Sequence, residues 1–224
     1  MAKAKYEGLA EWYEQEQARV AERPDAPLEQ FAELAEPAGG LIVEVGCGTG
    51  LAAAALRARG WQVGGIDLSM DQLSMARERC SWIAQADALE LPVRTAGLQT
   101  VGLAFVHTDV DAFDEVLREI ARVLQPGGRL VCLGIHPCFV GHHVDSPTKS
   151  DSRLGIVAGY RQGGWMHSSE QFGPGIRRRV GARHVPLAGY LMAFVRAPLQ
   201  LERVVELGDG IVPWMLGITA RRYP

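Results

Sequence analysis

Residues 41–50 read Leu-Ile-Val-Glu-Val-Gly-Cys-Gly-Thr-Gly, and Leu51-Ala-Ala-Ala-Ala-Leu-Arg-Ala-Arg59 follows. Leu41, Ile42, Val43 and Val45 predict a strand buried on both faces, as in a parallel sheet. Gly46, Gly48 and Gly50 then turn the chain, and residues 51–59 have the composition of a helix. Glycine permits positive φ and, lacking a Cβ, lets a ligand lie against the backbone. The helix start behind the turn offers unpaired N–H groups to such a ligand. The spacing is G-x-G-x-G. A dinucleotide fingerprint, G-x-G-x-x-G, would need glycine at 51, where this chain has Leu51. The reading therefore moves away from NAD and FAD, and a nicotinamide dehydrogenase is disfavoured.

Further along, Val63-Gly-Gly-Ile-Asp67-Leu-Ser69 reads as a second strand ending in an acid, 21 residues after Gly46. An acid about 20 residues beyond a glycine turn accepts hydrogen bonds from ribose hydroxyls in dinucleotide sites. Gln85-Ala-Asp87-Ala-Leu-Glu-Leu-Pro92 and Leu124-Gln-Pro-Gly-Gly-Arg-Leu130 follow in order. Together these stretches resemble the motifs of class I S-adenosylmethionine (SAM)-dependent methyltransferases of the small-molecule, type 11-like kind. The resemblance covers residues 41–131 well and 186–222 moderately. It implies that Gly46, Cys47, Gly48 and Gly50 cradle the cofactor and that Asp67, with Leu68 beside it, holds the ribose. It implies that Asp87 and Ala88 meet the adenine, and that Glu44 accepts bonds from the turn's backbone or from the ligand's amino group. Tyr6-Glu-Gly-Leu-Ala-Glu-Trp-Tyr13 is similar to the family's opening segment, in which aromatic side chains close over the cofactor. Tyr6 and Tyr13 are thus cofactor candidates, with plain packing as the alternative for each.

Composition agrees with a globular chain. In 224 residues, 47% are hydrophobic and 22% charged, which suits one domain with room for a cap. No stretch reads as a signal peptide, and no apolar run approaches the ~18 residues of a membrane span. Cys47, Cys80, Cys132 and Cys138 show no C-x-x-C pairing. Cys47 and Cys132 also read as small buried hydrophobes. A reduced, cytoplasmic protein without structural metal is the expectation. Residues 1–137 hold 12 Lys and Arg against 20 Asp and Glu, whereas residues 138–224 hold 11 against 6. Arg177-Arg178-Arg179 and Arg183 supply much of that second excess. A nucleic-acid binder would be basic throughout with interleaved aromatics, so the local charge reads as a solvated surface or as a pocket for a carboxylate or phosphate.

Periodicity predicts helices over Tyr6–Val20 and Pro27–Ala35, strand one, helix 51–59, strand two at 61–66 and a helix over Met70–Arg79 capped by Ser69. Strands at Trp82–Gln85, Leu98–Val106 and Arg129–Ile135 follow, with a helix near Asp111–Leu124. After a helix over Pro186–Ala197, Leu199–Glu206 and Ile211–Arg221 form an antiparallel pair. The alternation demands a Rossmann-like, doubly wound α/β fold. The resemblance implies seven strands with the last antiparallel beside strand five. One domain is expected: N-terminal helices (1–38), a SAM-binding core (39–136), a substrate cap (137–185), and a C-terminal helix with hairpin (186–224). The cap region, with eight glycines and three prolines between 137 and 185, shows little periodicity.

Methyl transfer from a sulfonium needs positioning first and a base only when the acceptor must lose a proton. Ligands of open α/β sheets sit outside the carboxyl ends of the strands. His107 after strand four and His136 after strand five fall there, and His184 precedes the helix expected over the substrate. These three are the candidate catalytic residues, with hydrogen-bonded loop histidines as the alternative. His142 and His143 lack the carboxylates of a metal site. Asp109 reads as a helix-start residue rather than a base. Tyr160, Trp165 and Phe172, with His136, His142 and His143, suggest a planar, partly polar acceptor, such as a bacterial secondary metabolite, with a quinone or sterol ring as the alternative. The reading is a SAM-dependent methyltransferase that yields S-adenosylhomocysteine, acts on a small molecule, and has no nucleic-acid or membrane partner. The alternative is a SAM-binding protein with a regulatory or non-methyl-transfer role.

Overall fold

The computed structural model of the protein describes residues 4–21, 26–145, 155–156, 158–166 and 175–224. Two helices, α1 (Ala10–Ala21) and α2 (Pro27–Leu34), lead into β1 (Leu41–Val45), α3 (Leu51–Ala58), β2 (Gln62–Asp67) and α4 (Met70–Ala76). Next come β3 (Trp82–Gln85), β4 (Leu98–Ala104), α5 (Phe113–Val123) and β5 (Leu124–Ile135). The cap holds β6 (Val144–Asp145), β7 (Gly155–Ile156), β8 (Gly164–Met166), α6 (Ile176–Val180) and β9 (Ala182–His184). The chain ends in α7 (Leu187–Arg196), β10 (Leu199–Leu207) and β11 (Met215–Arg222). Seven strands pair in the order β10-β11-β5-β4-β1-β2-β3. Pairing is parallel from β5 to β3, and β11 lies antiparallel between β5 and β10. No helix among the described residues is long and apolar enough to cross a membrane.

Side-chain alternation along the strands supplies both faces. Ile42, Val131, Leu133 and Met215 point to a layer with Phe31 and Leu34 of α2, Leu56 of α3 and Leu73 of α4. Val43, Val45, Cys132, Leu216 and Ile218 point to the opposite layer, with Val116 and Ile120 of α5 and Tyr190 and Phe194 of α7. Phe31, Ile42, Leu73, Ile120 and Phe194 are fully buried. Each such side chain contributes about 1.5–3 kcal/mol. Arg129 at the start of the paired part of β5 donates to the carbonyls of Leu34, Ala35 and Glu36, satisfying the last turn of α2.

Among the boundaries that differ from the sequence expectations, β5 begins at Leu124 rather than Arg129 and β11 at Met215 rather than Ile211, and three others bear on the site. The first helix begins at Ala10 rather than Tyr6, because Gly8 turns the chain at φ 76. Ser69 does cap α4, accepting from the backbone N–H of Gln72 at 3.2 Å, but that helix ends at Ala76. The third difference matters most. Strand β4 stops at Ala104, where Phe105 takes φ 60, and Val106–Thr108 form a 3-10 turn. That turn drives His107 into the core, 4% exposed, against Phe113 and Tyr190. Gly134 of β5 makes the space, since a Cβ there would lie 2.5 Å from His107 Cε1.

Two outcomes are expected. Gly134→Ala overpacks this pocket and should cost about 1–3 kcal/mol in urea unfolding; a neutral result would mean that the His107 ring moves freely. Burial pushes His107 down to about 3, with the charge of Arg177 adding to the effect. The unfolded ring titrates near 6.5, so between these values the unfolded chain binds the extra proton. Stability should therefore fall, relative to His107→Leu, by up to about 1.4 kcal/mol per unit as pH drops below 6.5. A pH-independent difference between the two proteins would show that the ring is hydrated.

Candidate active site

The carboxyl ends of the strands open into a cleft of about 1020 Å³. That is at the top of the roughly 300–1,000 Å³ range of ligand pockets, with room for two ligands side by side. The glycine turn lies on one wall. Gly46, Gly48 and Gly50 have φ of 72, 54 and 77, which side chains with a Cβ rarely adopt. The backbone N–H groups of Gly46 and Cys47 both donate to the Ile66 carbonyl, at 2.7 and 3.1 Å. Asp67 Oδ2 accepts from Gly48 N–H at 2.8 Å, and Oδ1 from Ser69 N–H at 2.9 Å. Burial raises the pKa of this carboxyl, against the pull of those backbone donors.

Tyr6, Tyr13, Gly46, Gly48, Asp67, Leu68, Asp87 and Ala88 line the cleft. Glu44 and Cys47 instead face a small adjoining hollow of about 30 Å³, shared with Tyr13, Gln17 and Thr49. Gly50 lines neither. A Cβ on it would stand 3.1 Å from the Cα of Ala76, so its place is in packing the turn onto α4. Glu44 is 2% exposed, and its Oε2 has no hydrogen-bond partner. Burial, and then the charge of Asp67, push its carboxyl up to about 8. A buried, unpartnered carboxyl is costly, and a ligand ammonium would answer it. With Asp67 available to ribose hydroxyls, the donors and acceptors present fit SAM.

The roof comes from distant parts of the chain. Arg177 of α6 donates to Asp109 Oδ1 at 2.6 Å and to the Tyr6 hydroxyl at 3.2 Å. The Tyr6 hydroxyl donates to the same Asp109 oxygen at 3.1 Å, and burial keeps this phenol protonated. Lys5 donates to the Asp109 carbonyl at 2.7 Å and lies 3.2 Å from the centre of the Trp165 ring. Ser69 Oγ donates to Glu7 at 2.6 Å, Ala10 N–H to Asp71 at 2.8 Å, and Arg79 to Glu14 at 2.5 Å. Tyr6 and Tyr13 meet edge to face at 5.5 Å. Residues 5–14 are thus strapped across the glycine turn.

None of the three candidate histidines lines the cleft. His107 is turned into the core by the Phe105 bend. His136 uses both ring nitrogens, Nε2 against Glu206 at 2.9 Å and Nδ1 accepting from Cys138 N–H at 3.2 Å. His184 donates through Nε2 to the Tyr160 carbonyl at 2.7 Å and packs with His142 and His143. Burial lowers the pKa of His136 and His184, so both stay neutral near pH 7. Among the described residues, no three His, Cys, Asp or Glu side chains are arranged to hold a metal ion. The expected acceptor aromatics are also elsewhere. Tyr160 accepts from Leu187 N–H at the start of α7, Trp165 lies under Lys5, and Phe172 is outside the described residues.

Sequence reasoning missed Phe105, Trp214, Arg177 and the role of Asp109, all of which line the cleft. Asp109 does not cap α5, whose first residue is Phe113; it binds Tyr6 and Arg177 instead. The signal for Phe105 was faint, because only the structure shows its left-handed backbone. Arg177 was legible as one of a basic run, without its partner.

Residues 43–132 match a family model described as a methyltransferase domain. The chain is 36% identical over 126 residues to the methyltransferase GfsG of Streptomyces halstedii, covering 52% of this chain and 45% of that protein. It is 33% identical over 105 residues to a demethylmenaquinone methyltransferase of Bacillus licheniformis, covering 43% and 45%. The matches thus span under half the length of these curated relatives. A SAM-dependent methyltransferase structure from Mesorhizobium loti superposes with a TM-score of 0.70 at 21% identity, covering 86% of this chain and 96% of that one. Residues 43–132 are thus similar to a methyltransferase domain, and the fold, with its glycine turn, the acid ending β2 and the antiparallel β11, is the one seen in the Mesorhizobium loti structure.

Proposed function

We propose that the protein transfers a methyl group from SAM to a small-molecule acceptor, releasing S-adenosylhomocysteine. The observation that carries this reading is the buried Glu44, whose Oε2 has no hydrogen-bond partner, beside a left-handed glycine turn gripped by Asp67. The activities for which its relatives are named support it. We read residues 1–224 as one functional unit, with 1–38 and 137–185 roofing the core at 39–136 and 186–224 completing the sheet.

Bound in the cleft, SAM supplies an electrophilic methyl group. Asp67 orients the adenosyl part against the glycine turn, Glu44 the amino end, and Asp87 with Ala88 the base. Residues 5–14 exclude water. Holding acceptor and methyl in attack geometry supplies on the order of 7–11 kcal/mol in favourable cases. We assign no proton transfer to His107, His136 or His184, because their ring nitrogens do not face the cleft. Turnover of SAM to S-adenosylhomocysteine dependent on an acceptor tests the reading; cofactor binding without turnover across acceptors would favour a regulatory SAM-binding protein.

Asp67→Ala should weaken S-adenosylhomocysteine binding by roughly 10- to 150-fold, the worth of about 1.5–3 kcal/mol for bonds to a charged acceptor. Calorimetry checks this, and an unchanged affinity in the folded variant would reassign the acid. Glu44 gives a pH signature. Free, it is mostly protonated at pH 7. A ligand ammonium favours the carboxylate, so binding should release close to one proton and strengthen as pH rises from 6 to 8. Binding enthalpies in buffers of different ionisation heat measure that proton. Glu44→Gln should abolish the release.

A further inference from the structure

The cleft is larger than one cofactor needs, and its two sides differ in chemistry. Asp67 and Asp87 follow β2 and β3, whereas Phe105, Ile135 and Trp214 belong to the ends of β4, β5 and β11. In the sheet order, β5 stands three strands from β2, about 14 Å at the usual ~4.8 Å spacing. The second side is therefore free for another molecule when the first is filled.

That side is built around two aromatic rings. Phe105 and Trp214 lie almost parallel, 7° apart, with centroids 6.3 Å apart. Phe105 holds a left-handed backbone, uncommon for a bulky residue, and its N–H is fixed to the Leu133 carbonyl at 2.7 Å. Trp214 is seated over Gly208, where a Cβ would lie 2.5 Å from the indole Cδ1. Its backbone is tied on both sides, accepting from His136 N–H and donating to the Leu207 carbonyl. A strained residue on one loop and a glycine on another thus both serve to place one aromatic wall. Ile135 and Val140 extend it without polar groups.

The polar groups near this wall are already matched in charge. Phe105 and Asp109 are joined by a single 3-10 turn, about 6 Å of rise. Asp109 neutralises Arg177 at 2.6 Å and accepts a hydrogen bond from the Tyr6 hydroxyl as well. Lys5 is engaged with the Asp109 carbonyl and the Trp165 ring. The remaining charged groups on the lining, Asp67, Asp87, Asp111 and Glu16, are acidic. Among the described residues an anionic guest would meet no uncompensated cation, contrary to the carboxylate or phosphate pocket that the basic run suggested. An uncharged planar guest would keep its face on the wall and offer a hydroxyl or carbonyl to Asp109, Tyr6 or Arg177.

We infer that the Phe105–Trp214 wall opposite the Tyr6–Asp109–Arg177 cluster is the acceptor subsite, and that it selects an uncharged planar ring bearing a hydroxyl or carbonyl group. This rests on the methyltransferase reading above. The family-model match does not dictate it, because Tyr6, Arg177 and Trp214 lie outside residues 43–132.

Calorimetry on the protein saturated with S-adenosylhomocysteine tests the subsite with three probes: 2-naphthol, 2-naphthoic acid and the saturated alcohol 2-decalol. Naphthol should bind at least tenfold more tightly than either of the others. Trp214→Leu should weaken naphthol at least fivefold and erase its advantage over decalol. Asp109→Asn leaves Arg177 without its counter-charge, so naphthoate should gain at least fivefold. Tighter binding of naphthoate than naphthol by the parent, an unchanged naphthol affinity in Trp214→Leu, or no binding of any probe at millimolar concentration would overturn the assignment. Failure of the parent to bind S-adenosylhomocysteine is a separate result. It would overturn the methyltransferase reading, and with it the use of this wall for an acceptor.

Discussion

Gly46, Gly48 and Gly50 must all hold left-handed backbone within five residues, and the layout of the site follows from that constraint. The bend lets the N–H groups of Gly46 and Cys47 share the Ile66 carbonyl, which locks the end of β1 to β2. It aims Gly48 N–H at Asp67, so the acid that faces the cleft also fixes the turn. It brings Gly46 so near Val106 that any larger residue would push the 3-10 turn away. The glycine wall of the cleft, the acid ending β2 and the route of the chain after β4 therefore share one geometric origin.

The roof depends on electrostatics rather than on apolar packing. Asp109 gathers partners from residues 5, 6 and 177, joining the start of the chain to the cap through one carboxylate and one carbonyl. The pair of Arg177 and Asp109 is partly buried, where removing one partner costs more than the pair contributes. The arrangement closes the cleft while leaving its cations satisfied, so roof and selectivity are consequences of the same bonds.

Much of this was legible from the sequence because it is local. The strand at 41–45, the glycine turn, the acid at 67 and the Ser69 cap are each set by neighbours within a few residues. The seven strands, with the last one antiparallel beside strand five, came from resemblance and agree with the sheet. His107 was misread for a tertiary reason. Its register after β4 assumed an extended Phe105, whereas Phe105 bends and buries the next histidine against Gly134. Asp109 looked like a helix cap because its true partners lie 103 and 68 residues away. Trp214 was one residue in a hairpin until Gly208 and Phe105 gave it a position.

The placement of β11 has a consequence for how the chain reaches its fold. Met215–Arg222 pairs on one side with β5 and on the other with β10, so an interior strand comes from the end of the sequence. Until residue 222 has emerged from the ribosome, β5 presents a bare hydrogen-bonding edge flanked by fully buried Leu130, Val131 and Leu133. Chains fold from their N-terminal side as they are made, and unpaired apolar edges are where nascent chains associate. Closing the sheet also requires contacts between residues 80 to 92 apart in sequence, which slows the final step. Productive folding of this chain is therefore a race between the arrival of its last strand and the capture of its central one.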